Sequence, residues 1–209
     1  MVFHSRTVSS ALVLLAAIAG LGVSPVLAGA SGTGYVYPPP AGMTTTMGKP
    51  TNRLMLHMAY GVDPRFLRQV VPYSTTESAG TIVVDTGHKY LFLVLGEGLA
   101  MRYGIGVART GFEWSGTHTV VNKRVWPDWT PPAEMLQRQP GIPTHMAGGP
   151  DNPLGARALY IGSTLYRIHG TTEPWTIGHN VSSGCIRLTN EDVIDLYSRV
   201  KIGTKVVVF

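Results

Sequence analysis

Thr81-Ile82-Val83-Val84-Asp85-Thr86-Gly87-His88-Lys89-Tyr90-Leu91-Phe92-Leu93-Val94-Leu95 is the stretch from which the fold is read. Two runs rich in β-branched, aliphatic and aromatic residues flank Thr86-Gly87-His88, and that pattern signals a β-hairpin. The second run is apolar at successive positions, so both of its faces are expected to be covered. Further strands are expected at 101–108, 117–123, 158–161, 165–169, 185–188 and 205–209. Glycine (25) and proline (15) are frequent, which favours many turns between short strands. Two helices interrupt them. One opens at Thr130-Pro131-Pro132-Ala133-Glu134, with a polar cap, prolines in the first turn and an early acid. The other follows Thr189-Asn190-Glu191-Asp192 and runs to about Val200, with Val193, Leu196, Tyr197 and Val200 on one face and Gly203 just beyond. No internal repeat is visible. The expected fold class is mostly β with a few short helices, in a single domain spanning 81–209.

Upstream of the hairpin, 54–80 is an N-terminal extension expected to pack on this domain. Its 54–73 part is open between a short helix and a loop. Residues 31–53, rich in Gly, Pro and Thr and including Tyr37-Pro38-Pro39-Pro40, read as a flexible linker. Residues 1–30 read as a signal peptide. His4 and Arg6 precede an apolar run over 11–23, too short for the roughly 20 residues that span a bilayer. Ser24-Pro25 ends the run, and small residues allow cleavage after Ala28 or Ala30. The mature chain is therefore expected to be exported, to a periplasm or cell wall. No cysteine lies near the leader, which excludes a lipoprotein on chemical grounds.

The formal charge is +5, and the 17 basic residues are scattered rather than gathered into a stripe. That argues against a nucleic-acid partner and suits an anionic polymer. The 209 residues hold one cysteine, Cys185, so no internal disulfide can form. An unpaired thiol in an exported chain calls for a reason to keep it.

The reason lies in His169-Gly170-Thr171-Thr172-Glu173-Pro174-Trp175-Thr176-Ile177-Gly178-His179-Asn180-Val181-Ser182-Ser183-Gly184-Cys185-Ile186-Arg187-Leu188. A thiol becomes a strong nucleophile as a thiolate, and an imidazole can take its proton and return it to a leaving amine. His169 ends one expected strand and Cys185, 16 residues later, begins another. Gly170 offers a backbone carbonyl to orient the ring. The Ser183-Gly184 turn can aim backbone N–H groups at a developing oxyanion. Arg187, two residues beyond Cys185 on a strand, shares its face and can hold a substrate carboxylate. On spacing alone, a nucleophile–base pair and a buried structural cysteine both remain open. His118, His145, His169, His179 and Cys185 lack the HExxH or CxxC spacing of a zinc site, so no metal and no cofactor are expected. Trp114, Trp126, Trp129 and Trp175 read as core or cleft-wall packing before sugar stacking. The turn at 148–155 lacks the Lys-Ser/Thr of a phosphate loop and reads as shaping the cleft.

His169-Gly170 followed by Ser182-Ser183-Gly184-Cys185-Ile186-Arg187-Leu188 resembles the signature of the YkuD-type L,D-transpeptidase catalytic domain. The resemblance extends upstream through Gly104-Ile105-Gly106-Val107, Gly111-Phe112-Glu113-Trp114-Ser115-Gly116, Trp126-Pro127-Asp128-Trp129-Thr130-Pro131-Pro132 and Gly148-Gly149-Pro150-Asp151-Asn152-Pro153-Leu154-Gly155-Ala156-Arg157. It implies a β-sandwich-like fold over 81–209 with the cysteine in a cleft. It implies Cys185 as nucleophile, His169 as general base and Gly170 as the carbonyl that orients the base. Arg187 and Ser182 match positions of the substrate site. Ser183 stands where many members have histidine, which leaves open how that wall of the pocket is polarised. The implied donor is a peptidoglycan stem tetrapeptide, whose D-alanine leaves. An amine acceptor then gives a 3→3 cross-link or attaches a wall protein, while water as acceptor gives an L,D-carboxypeptidase. β-Lactams of the carbapenem class are the expected acylating inhibitors. A wall-binding protein that kept the fold without the activity is the non-enzymatic alternative.

Overall fold

The structure, a computed structural model, describes residues 60–209. The expected leader, linker and first residues of the extension lie outside the described residues.

The hairpin forms as its sequence predicts. Strands β2 (Ile82–Asp85) and β3 (Tyr90–Gly96) pair antiparallel, with Ile82 opposite Leu93 and Asp85 opposite Tyr90. In the chain direction the remaining strands are β1 (Gln69–Pro72), β4 (Leu99–Gly104), β5 (Val107–Ala108), β6 (Gly116–Val125) and β7 (Arg157–Ile161). They continue with β8 (Arg167–His169), β9 (Asn180–Ser182), β10 (Ile186–Arg187) and β11 (Lys205–Val208). Nine strands form one sheet in the order β1-β4-β3-β2-β11-β6-β7-β8-β10, and β5 pairs with β9.

Strand β6 makes this sheet sandwich-like. Its first half, Gly116 to Thr119, pairs with β11, and its second half, Val120 to Val125, pairs with β7. The register shifts between Val120 and Asn122. The exchange of partners turns the sheet over a core shared by both layers. Ile82, Val84, Leu91 and Leu93 face that core from one side, and Leu159, Ile161, Ile168 and Ile186 from the other. Gly106 then bridges Arg187 through two backbone hydrogen bonds of 2.9 and 2.8 Å, tying β10 to the chain just after β4.

Three local readings change. The expected single strand over 101–108 is two strands, because the partner changes: β4 ends at Gly104 opposite Tyr90, Gly106 bonds to Arg187, and Val107–Ala108 pair with β9. The 54–73 region, open between helix and loop, holds a 3-10 turn (Pro64–Phe66) and the edge strand β1, paired with β4. Tyr73 stacks on Phe92 with ring centroids 4.4 Å apart, and this segment thereby covers the outer face of β3. Helix α1 (Ala133–Arg138) starts at Pro132 without a side-chain cap; the Thr130 hydroxyl is engaged with His145 Nδ1 instead, at 3.2 Å.

Helix α2 (Asn190–Arg199) follows its sequence closely. Thr189 caps it by accepting from the Asp192 N–H, and Val193 and Leu196 are buried on the core side. Its last carbonyls are met by Lys123, whose ammonium donates to Tyr197 O (2.7 Å) and Val200 O (2.6 Å) and lies 4.0 Å from the Tyr197 ring. Among the described residues no helix is long and apolar enough to cross a membrane. Replacing this cation should loosen α2 without touching the cleft. Lys123→Met is expected to cost about 1–2 kcal/mol in urea unfolding, since it leaves two carbonyls of the helix end unmet.

Candidate active site

Cys185 sits at the junction of β9 and β10, on a turn that only glycine permits. Gly184 has φ +112°, and a Cβ there would overlap the Tyr166 ring. Tyr166 is stacked on Trp114 (4.6 Å, 13°), and the Trp114 indole N–H donates to Gly184 O at 2.6 Å. Ser182 is buried, and its hydroxyl donates to Cys185 O at 2.6 Å while accepting from the Gly184 N–H at 3.2 Å. Ser182 thus braces the turn from inside. The Gly184 N–H, expected to face an oxyanion, is engaged by that hydroxyl. Ser183 is half-buried and accepts from Arg109 Nη2 at 3.3 Å.

His169 arrives on the neighbouring strand. β8 and β10 are parallel, with Ile168 opposite Ile186 and His169 opposite Arg187. The imidazole is buried, and its Nδ1 lies 2.5 Å from Gly170 O. A carbonyl only accepts, so Nδ1 carries the proton and the lone pair is left on Nε2. The approach requires glycine at 170, because a Cβ would overlap Asn190 Oδ1. The same oxygen accepts the Ala156 N–H at 2.9 Å and blocks a Cβ on Gly155, which has φ +64°.

Burial pushes the His169 imidazole down to about 3, and the nearby Arg187 charge adds to it; the Gly170 and Leu154 carbonyls pull the other way. Burial likewise raises the Cys185 thiol above its ordinary range, against the opposing pull of Arg167 and Arg187. Near neutral pH the thiol and the imidazole are therefore both uncharged.

Both groups line one cleft of about 720 Å³. Its far wall is the 129–154 segment, where Trp129 and Met146 pair through two backbone bonds of 2.8 Å. Buried Asn152 fixes the turn beyond, donating to Met146 O and Ala147 O and accepting from Leu154 N. Arg187 reaches into the cleft held by Glu173 at 2.8 Å. His145 and His179 are exposed, and among the described residues no three His, Cys, Asp or Glu side chains gather as metal ligands. Of the tryptophans, Trp175 departs from the packing reading, being 46% exposed. Sequence reasoning missed Asn190, Tyr166, Glu173 and Arg109. Asn190 carried a signal, as a second polar residue at a helix start already capped by Thr189.

With this geometry in place, the comparisons are specific. The YkuD L,D-transpeptidase catalytic domain matches residues 79–208, and the chain belongs to that family. The probable L,D-transpeptidase YbiS of Escherichia coli K12 is 37% identical over 139 residues, covering 63% of this chain and 44% of that protein. The chain thus spans less than half the length of that relative. A solved Brucella melitensis chain, described as a probable carnitine operon oxidoreductase, is 46% identical, covering 73% of this chain and 99% of that one with a TM-score of 0.48. The Ldtfm–avibactam carbamoyl enzyme is 19% identical, covering 64% and 49%, with a TM-score of 0.51, and shares the fold.

Two outcomes follow from the site's construction. Between pH 6.5 and about 3 the unfolded chain binds a proton at His169 that the folded chain refuses, so stability falls as pH falls through that window. Urea unfolding between pH 6.5 and 4.5 should show a loss approaching 1.4 kcal/mol per pH unit, flattened in His169→Asn. Gly184→Ala should lower the melting temperature and slow alkylation of Cys185 together, because the new methyl meets Tyr166.

Proposed function

We propose that this protein is an exported peptidoglycan L,D-transpeptidase that works through a Cys185 acyl-enzyme. What carries the reading is the pairing, in one cleft, of the chain's single thiol with a buried imidazole whose Nδ1–H is fixed on Gly170 O. His169 Nε2 takes the thiol proton as sulfur attacks the carbonyl at the L-centre of the third stem residue. The turn at 183–185 supplies the oxyanion's surroundings, and since the Gly184 N–H is engaged by Ser182, the Cys185 N–H is the natural donor. The tetrahedral centre collapses, the C–N bond to D-alanine breaks, and His169 returns the proton to the leaving amine. That leaves a thioester. An acceptor amine then attacks it, His169 takes the amine's proton and gives it to the departing thiolate, and an amide forms.

Burial keeps both partners neutral at rest, so proton transfer accompanies attack instead of preceding it. Arg187 exchanges Glu173 for a substrate carboxylate. The apolar run over 11–23 and the small-residue sites after it support export to the periplasm or wall. A β-lactam presents a strained acyl donor to the same thiol, so carbapenems are the inhibitors expected to acylate Cys185; the carbamoyl enzyme that avibactam, a strained cyclic urea, forms with a protein of this fold supports the reaction of such a site with strained cyclic carbonyls.

The deciding experiment incubates mature protein with disaccharide-tetrapeptide and reads the products by mass spectrometry. Dimers lacking one D-alanine, absent with Cys185→Ala, are the expected result. Tripeptide alone would make water the acceptor and the protein an L,D-carboxypeptidase. No D-alanine release, even with an amine acceptor or a wall lipoprotein supplied, would favour the non-catalytic wall-binding reading. Cys185→Ala should leave the melting temperature nearly unchanged. Iodoacetamide labelling of Cys185 should accelerate steadily from pH 7 to 9, because the raised thiol excludes a low-pH plateau.

A further inference from the structure

Two arginines of the cleft are committed to one aromatic ring. The Arg109 and Arg138 guanidinium carbons lie 4.7 and 4.9 Å from the Phe112 centroid, and all three residues line the cleft. Arg109 follows β5, Arg138 ends α1, and Phe112 lies in the loop between β5 and β6. Residues from separate parts of the chain thus converge on one spot. The two charges sit within roughly a Debye length (about 10 Å) of each other, where they repel. Neither forms an ion pair among the described residues, although Arg187 in the same cleft is held by Glu173. Arg109 also reaches Ser183 Oγ at 3.3 Å, two residues before the thiol. A guanidinium therefore polarises the wall at Ser183, the position left open by the sequence.

A surface arginine is ordinarily content in water. Arg109 is half-buried and Arg138 exposed, yet both rest on one ring at a concave site, where planar forks are preorganised for a carboxylate. We infer that Arg109 and Arg138, held by Phe112, form a carboxylate-binding subsite that seats the acidic stem peptide in this cleft. The inference rests on the transpeptidase reading and adds substrate-positioning residues to it. The stem offers two sources for that carboxylate, the terminal D-alanine and the side-chain carboxyl of a diamino acid in the third position. Glu134, one helical turn before Arg138 on α1, and Asp151 also line the cleft and would repel a carboxylate placed near them.

The test follows the amine released, from disaccharide-tetrapeptide and from two amides, one at the terminus and one at the side-chain carboxyl; the terminal amide releases D-alaninamide and the other two D-alanine. Full-length mature protein is compared with Arg109→Gln, Arg138→Gln and Arg138→Lys. Each glutamine variant should raise KM for the free acid about ten- to a hundredfold, with kcat within about threefold. KM for one of the amides should be unmoved by the same substitutions, and that amide identifies the carboxylate. Arg138→Lys should recover part of the loss. Unchanged melting temperatures would exclude a folding effect. If the intact protein releases D-alanine and the variants keep the parent KM for acid and amides alike, the subsite is overturned and the transpeptidase reading stands. If the intact protein releases none, that reading falls and takes the subsite with it. A drop in kcat alone would also overturn the subsite, since it would place the arginines in the chemistry and not in seating the substrate.

Discussion

The cleft depends on one carboxamide oxygen. Asn190 Oδ1 accepts the Ala156 N–H at the start of β7 and closes against the backbone of Gly155 and Gly170. It therefore pins the beginning of one strand, the end of another and the first turn of α2 at a single point. Neither glycine can carry a side chain there. The close approach leaves the Gly170 carbonyl in reach of His169 Nδ1, which sets the tautomer and frees Nε2. The imidazole is thus oriented by backbone packing, through Gly170 O. This suits a buried imidazole, because a neutral dipole holds the ring while stabilising its charged form less than a carboxylate would.

A second constraint keeps Cys185 in place. The turn bearing Cys185 is tied from inside by the Ser182 hydroxyl and from outside by the Trp114 indole, with Tyr166 stacked behind. Trp114 comes from the loop before β6, whereas Tyr166 comes from the connection into β8. The thiol is consequently positioned by both layers of the sandwich, and the partner exchange along β6 holds those layers in register.

Much of this was legible in the sequence where the signal is local. The β2–β3 hairpin follows from its alternation of apolar runs and a glycine turn, and α2 from its cap, acids and apolar stripe. Cys185 and His169 stood out because one thiol in the chain left no other candidate. What escaped was set by distant partners. β1 is a strand because β4 offers it an edge, and the two-residue β5 and three-residue β9 exist only through each other. The single strand read over 101–108 breaks because the chain leaves β3 after Gly104 and pairs with β9 instead. Thr130 looked like a cap, yet His145 claims its hydroxyl. Arg109 and Arg138 read as two of 17 scattered cations, and only the fold brings them to the same ring.

The raised thiol bears on how Cys185 withstands oxidants. Peroxides and disulfides react with thiolates, so a sulfur that stays protonated exposes only a small reactive fraction to them. The chain has no second cysteine with which to resolve a sulfenic acid by an internal disulfide. With no partner thiol to repair it, Cys185 is guarded against oxidation by staying protonated.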